Sequence, residues 1–243
     1  MQTHSGEEKA TLAERASSEQ IVLAPEERRP AVIDAIRSAG RRVALSMFRC
    51  TDFEVMDALA EALSRNVQVE LLLTQRAKGW EKKIRDLGLY LESMGARVYR
   101  YSLPRVKYHA KYLVVDEKMA LVGSFNYTRK CFQNTCDFLL VTRDEGMVSG
   151  LMRLFEHDIR TPDLPLPRDV TDRLIIGPEW ARGQFLKLLE SARSSIRIID
   201  HRISDSELIE ALRERHSAGA DVQNYGKGCM PGLKSHGKMM GGG

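Results

Sequence analysis

No run of apolar residues in this 243-residue chain approaches the ~20 needed for a membrane-spanning helix, so a helical membrane span is excluded. Met1 to Gln20 is polar and has no apolar core, so it is read as an N-terminal tail and not as a secretory leader. A cytoplasmic location is expected, with at most peripheral contact at a membrane. Cysteine is scarce. Cys50, Cys131, Cys136 and Cys229 match no zinc-ligand spacing, and nothing in their number or spacing argues for a disulfide scaffold. Buried free thiols are expected, and the spacing gives no support to a Cys131–Cys136 pair. Aromatic residues make up only 7 %, and no basic stripe is interleaved with them to stack single-stranded bases. Charge of one sign is also lacking. Against 33 acidic residues stand 37 basic ones, a net charge of +4. That small excess suits an anionic substrate without choosing between a phospholipid and a nucleic acid.

Elements of α/β type follow one another. Helical spacing of Val32, Ile33 and Ile36 predicts a helix over 26–38, and Val43 to Phe48 reads as a strand. A helix over 52–64 follows, with Asp52 as N-cap, and then an apolar strand over 67–74 of the buried parallel type. A helix over 80–94, a strand over 97–101, a hairpin over 108–124, a strand over 137–142 and a helix over 145–159 complete a first unit. Pro162, Pro165 and Pro167 mark a linker. The expected boundaries are a tail at 1–20, a first unit at 21–160, a linker at 161–173 and a second unit at 174–243.

Chemistry concentrates in one segment. His109 and Lys111 stand two apart and, on a strand, share a face. Asp116, Gly123, Ser124 and Asn126 follow at fixed intervals. A neutral imidazole serves as nucleophile or general base, and its protonated form as general acid. Lysine, serine and asparagine donate to the non-bridging oxygens of a phosphate. A carboxylate such as Asp116 can orient an imidazole. Lysines and histidines can offset the developing charge, so no metal is required. Arg105 and Lys107, just upstream, are placed to attract an anion, whereas the pairs Arg28-Arg29, Arg41-Arg42 and Lys82-Lys83 read for the most part as solvated helix faces or ends. A shorter copy recurs as His236-Gly237-Lys238. His201 is a weaker site candidate, and His157 is read as structural.

The pattern His109-x-Lys111-x4-Asp116-x6-Gly123-Ser124-x-Asn126 resembles the HKD signature of the phospholipase D superfamily, and His236 and Lys238 match the start of its second copy. The resemblance implies an α/β/α sandwich with two motifs meeting at one site. It implies a covalent phosphohistidine, with His109 as nucleophile and His236 as general acid. Lys111, Ser124, Asn126 and Lys238 would bind phosphate, Asp116 would support, and no cofactor is called for. After Lys238 the family pattern expects an aspartate, a Gly-Ser-x-Asn segment and further strands, which this chain does not supply.

Residues 25–59 align without gaps on 178–212, with Arg29/Arg182, Asp52/Asp205 and Glu54/Glu207 among the identities. The expected architecture is a tandem repeat of two units, the second incomplete. The first functional expectation is a phosphodiesterase or phosphatidyltransferase acting on phospholipid, with water or an alcohol as acceptor. A second is a superfamily endonuclease cleaving nucleic acid, for which a homodimer is an open arrangement. A third is an inactive fragment.

Overall fold

The structure, a computed structural model, describes residues 18–75, 79–101, 103, 107–166, 170, 173–178, 180–226 and 232–243. Arg105, Pro167, Cys229 and most of the N-terminal tail lie outside the described residues.

The first half comprises β1 (Glu19–Val22), α1 (Pro25–Arg37), β2 (Arg42–Met47), α2 (Phe53–Ser64), β3 (Gln68–Thr74), α3 (Glu81–Ser93), β4 (Arg97–Tyr101), β5 (Lys111–Val115), β6 (Met119–Gly123), α4 (Arg129–Gln133), β7 (Thr135–Cys136), β8 (Leu139–Thr142) and α5 (Glu145–Arg160). Seven of its strands form one sheet in the order β1-β8-β6-β5-β2-β3-β4. β2, β3 and β4 run parallel, and the pairs β2–β5, β5–β6, β6–β8 and β8–β1 are antiparallel.

Alternation along the strands builds two cores. Leu45, Leu71 and Leu113 face one side, where Val32 and Ile36 of α1, Val55 and Leu59 of α2 and Ile84 of α3 cover them. Ala44, Leu72, Tyr112 and Val114 face the other, against Val148, Leu151 and Phe155 of α5. A sheet buried on both faces needs apolar side chains at successive positions, which is why β2 and β3 lack the half-polar alternation of a surface strand. Helix starts are fixed locally. Asp52 accepts from the backbone N–H of Val55, and Asp144 from that of Met147 at 2.8 Å. The β5–β6 turn places Asp116 and Glu117 at φ of 52° and 57°.

The second half contains α6 (Ala181–Ser191), β9 (Ser195–Ile199), α7 (Ser206–Ser217), β10 (Asp221–Asn224), β11 (Lys234–Ser235) and β12 (Met239–Gly242). β10 pairs parallel to β9, as β3 does to β2, and β12 pairs antiparallel to β9, as β5 does to β2. Aligned residues repeat their contacts. Arg29 bridges Asp52 and Glu54, and Arg182 bridges Asp205 and Glu207.

Three features depart from the sequence expectation. β5 begins at Lys111, so His109 precedes the strand. The short elements α4, β7 and β11 have too few residues to show a period. Cys50 and Cys131 are buried free thiols, but Cys136 is disulfide-bonded, a pairing that spacing along the chain cannot reveal.

Candidate active site

His109 and Lys111 lie where the chain enters β5. The Lys111 ammonium is 2.7 Å from the His109 carbonyl and 3.0 and 3.3 Å from the two ring nitrogens. Lys111 is buried, and burial pulls its pKa down to about 7, the nearby Asp137 charge notwithstanding. Burial, followed by the charges of Lys111, Lys107, His236 and Arg49, lowers His109 to about 4. The imidazole is therefore neutral at physiological pH, as a nucleophile must be. Its ring packs on Phe48 at 4.7 Å between centroids. Among the described residues no carboxylate bonds to it.

His236 arrives from the second half. β11 pairs parallel with β7, and the Gly237 N–H donates to the Cys136 carbonyl at 2.9 Å. This docking sets the His236 Nδ1 3.0 Å from Asp137 Oδ1 and 3.2 Å from Oδ2. The Asp137 side chain is fully buried and accepts from Ser124 Oγ at 2.7 Å. Ser124 Oγ in turn accepts from the Phe138 N–H. Arg28, itself fully buried, fastens the same segment. Its guanidinium donates to the carbonyls of Thr135 at 2.7 Å and Asp137 at 2.6 Å. Burial lowers the pKa of Arg28.

The other expected residues divide. Asn126 is buried with its Oδ1 unpartnered, and Ser124 reaches the site through Asp137. Asp116 lies at the far end of β5 from His109, seven residues away and roughly 20 Å along an extended strand. Its carboxylate accepts from the backbone N–H groups of Gly40, Arg41 and Arg42 at 2.8, 2.8 and 2.7 Å. Burial raises its pKa, but those bonds hold it below the usual carboxylate value. It thus ties the hairpin turn to the α1–β2 loop and orients no imidazole. Lys238 is more than half exposed and pairs with Asp200 at 3.0 Å. His201 is exposed, 3.7 Å from the same Asp200.

Sequence reading passed over Asp137 and Phe48 and grouped Arg28 with solvated helix faces, whereas its guanidinium is buried on the carbonyls of the β7 segment. The only local sign of Asp137 is a carboxylate opening an apolar strand, and its partner His236 is 99 residues away. A cleft of about 420 Å³ adjoins the site. Lys107, His109 and Lys111 line one end, and Leu151, Leu154 and Leu174 line its apolar wall.

The family model "Cardiolipin synthase, PLD-like domain" matches residues 32–159, more than half of the chain. Cardiolipin synthase A of Pseudomonas aeruginosa is 31 % identical over 129 residues. That match takes in 52 % of this chain and 26 % of the relative, so the chain spans about a quarter of the curated relatives it matches. Among solved structures, the phospholipase D family member Nuc of Salmonella typhimurium superposes with a TM-score of 0.53 at 22 % identity, covering 58 % of this chain and 93 % of Nuc. Polyphosphate kinase of Porphyromonas gingivalis covers 94 % of this chain and 42 % of its own at a TM-score of 0.70 and 18 % identity. These likenesses carry the fold. The motif at His109, the sheet that carries it and the match over residues 32–159 together place this chain in the family of phospholipase D-like domains found in cardiolipin synthase.

Proposed function

We propose that the chain works as a phosphodiesterase or phosphatidyltransferase on phospholipid, through a covalent phosphohistidine. The observation that carries this reading is that β7–β11 pairing brings His236 of the second half to Asp137 of the first, close enough for its charge to act on His109. The two imidazoles have different surroundings, and the difference assigns their roles. His109 is desolvated, flanked by cations and neutral, so it attacks phosphorus. His236 has a buried carboxylate against Nδ1, which orients the ring with Nε2 free to face the leaving group, so it is assigned to protonate the leaving alkoxide. As neutral imidazole it then takes a proton from water or an acceptor alcohol, which displaces His109 from phosphorus. Lys111 and Asn126 hold the non-bridging oxygens as charge builds on them. The aliphatic wall beside His109 favours a lipid over a nucleic acid, because bases and sugars gain little from it.

The test uses bis(p-nitrophenyl) phosphate, then short-chain phosphatidylglycerol beside a single-stranded oligonucleotide, with His109→Ala and His236→Ala as controls. Turnover abolished in both variants, an acid-labile and alkali-stable phosphoenzyme from ³²P-labelled substrate, and preference for the lipid are expected. Cleavage of the oligonucleotide alone would favour the endonuclease reading. Turnover that survives in His109→Ala would remove the mechanism.

A further inference from the structure

The two copies of the motif share one register but not one set of side chains. Residues 25–59 align on 178–212, which sets Met47 on Asp200 and Phe48 on His201, and the motifs set His109 on His236 and Lys111 on Lys238. Strand pairing gives the same correspondence independently. β12 pairs with β9 through Met239↔Ile199 and Met240↔Ile198, and β5 with β2 through the aligned pairs Tyr112↔Ser46 and Leu113↔Leu45. One step further along β2, Met47 stands opposite Lys111. The equivalent step in the second half sets Asp200 opposite Lys238. A buried thioether in one copy is therefore a carboxylate in the other.

The exchange sends the two lysines to different partners. Lys111, with a methionine opposite, turns back onto its own histidine, its Nζ 2.7 Å from the His109 carbonyl and 3.0 Å from Nδ1. Lys238 goes to Asp200 and spans both carboxylate oxygens, at 3.1 and 3.0 Å. The Arg202 N–H fixes that carboxylate by donating to Oδ1 at 2.9 Å. Burial raises the pKa of Asp200, but the Arg202 N–H and Lys238 hold it below the usual carboxylate value. Asp200 and Lys238 line a cleft of about 370 Å³ in the second half, apart from the one at His109. The pairing thus draws the ammonium off the reacting centre, although Lys238 is only two residues, roughly 7 Å of extended chain, from His236. An ion pair with its lysine more than half exposed adds little to stability. What it changes is the charge that a phosphate meets.

We propose that Asp200 is a specificity-determining residue: by holding Lys238 it withholds the second lysine from the phosphate, and so selects a monoanionic phosphodiester over a dianionic phosphomonoester. This role rests on the phosphodiesterase reading above and adds to it the charge state that the site accepts. Hydrolysis gives the distinction a use. Water adds a hydroxyl to phosphorus and a proton to the leaving alkoxide, so the monoanionic diester becomes an alcohol and a monoester whose second proton dissociates with a pKa of about 6. At neutral pH that product is a dianion. The Asp200 carboxylate repels the added charge, and Lys238, already neutralised, offers it little. The hydrolysis product is therefore released and does not compete with fresh substrate. Transfer to an alcohol yields another monoanionic diester, on which this discrimination does not act.

The experiment is an amide-shift NMR titration of the ¹⁵N-labelled full chain with methyl phosphate and with dimethyl phosphate at pH 7, in wild type, Asp200→Asn, Asp200→Met and the double variant Asp200→Asn/Lys238→Gln. The two ligands differ by one methyl group and one charge. Wild type is expected to bind the monoester no more than about threefold tighter than the diester. Asp200→Asn keeps the shape and an acceptor for the Arg202 N–H, and Asp200→Met installs the side chain that the first copy carries. In both, the freed Lys238 is expected to tighten methyl phosphate about tenfold and dimethyl phosphate at most about threefold. The double variant should lose that gain. In turnover of a nitrophenyl diester, inhibition by methyl phosphate is expected to strengthen about tenfold in Asp200→Asn. Wild type that already binds the monoester about tenfold tighter than the diester, unchanged monoester affinity in both single variants, or a full gain that persists in the double variant would overturn the role of Asp200. If the affinities shift as expected but no phosphodiester is turned over, the role of Asp200 stands and the reaction reading falls.

Discussion

At the residue scale, burial disfavours the charged forms of both Lys111 and His109. Moving the Lys111 pKa from 10.5 to about 7 makes its charged form cost on the order of 5 kcal/mol in the folded state. Lys111→Met is therefore expected to abolish turnover while raising stability by about 1–3 kcal/mol in urea unfolding at pH 7. Equal or lower stability would show that the ammonium is already compensated. The sign of the pH effect follows from the same shifts. Both folded pKa values lie below their unfolded ones, so the unfolded chain binds more protons between pH 4 and 6.5 through His109, and between pH 7 and 10.5 through Lys111. Stability contributed by these groups rises with pH across each window and is lost as pH falls through it. For kcat/KM, attack needs neutral His109 and charged Lys111, so an acid limb near pH 4 and an alkaline limb at or above pH 7 are expected. In Lys111→Arg, whose charge does not titrate, the Lys111 part of the alkaline limb should disappear. His109 and Lys111 stand out in the sequence through the spacing along one segment, and His236 through a shorter copy of the same pattern. Asp137 does not, because its function depends on a contact 99 residues distant.

At the element scale, two devices hold the motif, and neither is chemical. Asp116 closes the hairpin onto the α1–β2 loop through three backbone N–H bonds. Asp116→Ala leaves those donors with weaker partners and should cost about 1–3 kcal/mol in urea unfolding, with turnover per folded molecule little changed. A collapse of kcat in fully folded protein would return Asp116 to the chemistry. Arg28 holds β7 and the residue after it by two carbonyls, and its third bond, at 2.6 Å, goes to Leu23 at the end of β1. Arg28→Lys keeps the charge but cannot span three carbonyls with one compact ammonium. It should lower kcat, with KM for a small chromogenic substrate nearly constant and with turnover of an alkyl ester losing more than that of a nitrophenyl ester. The regular elements of the first half were readable from periodicity to within a residue or two at most ends. β1, β7, β11 and α4, of two to five residues, were not, β1 lying partly in what reads as a polar tail, although β7 and β11 carry the contact on which the site depends.

At the scale of the whole molecule, the halves share a pattern of helix, strand, helix, strand, and their aligned Arg–Asp–Glu contacts coincide. We read this as a duplicated unit whose copies meet through β7 and β11. Alignment within the chain suggests such a duplication, but it cannot reveal that the two copies dock by way of Cys136 and Gly237. Gly237 is the tightest point of that contact. A Cβ built there would stand 3.0 Å from the Cys136 carbonyl oxygen, 3.1 Å from Ser124 Oγ and 3.2 Å from Asp137 Cα. Two of these are backbone atoms that Arg28 and the sheet hold in place, so the added methyl must displace the His236 segment. Misplacing a catalytic group by about 1 Å costs on the order of a hundredfold in rate. Gly237→Ala is therefore expected to lower kcat by ten- to a hundredfold. The unfolding midpoint of the first half, whose cores contain no residue of this segment, should stay within measurement error. Phosphoenzyme formation from a nitrophenyl ester, whose leaving group needs little protonation, should be far less affected than turnover of an alkyl ester. Equal losses on the two substrates would place the damage at His109 and not at the docked acid, and would break the link between β7–β11 pairing and the role given to His236.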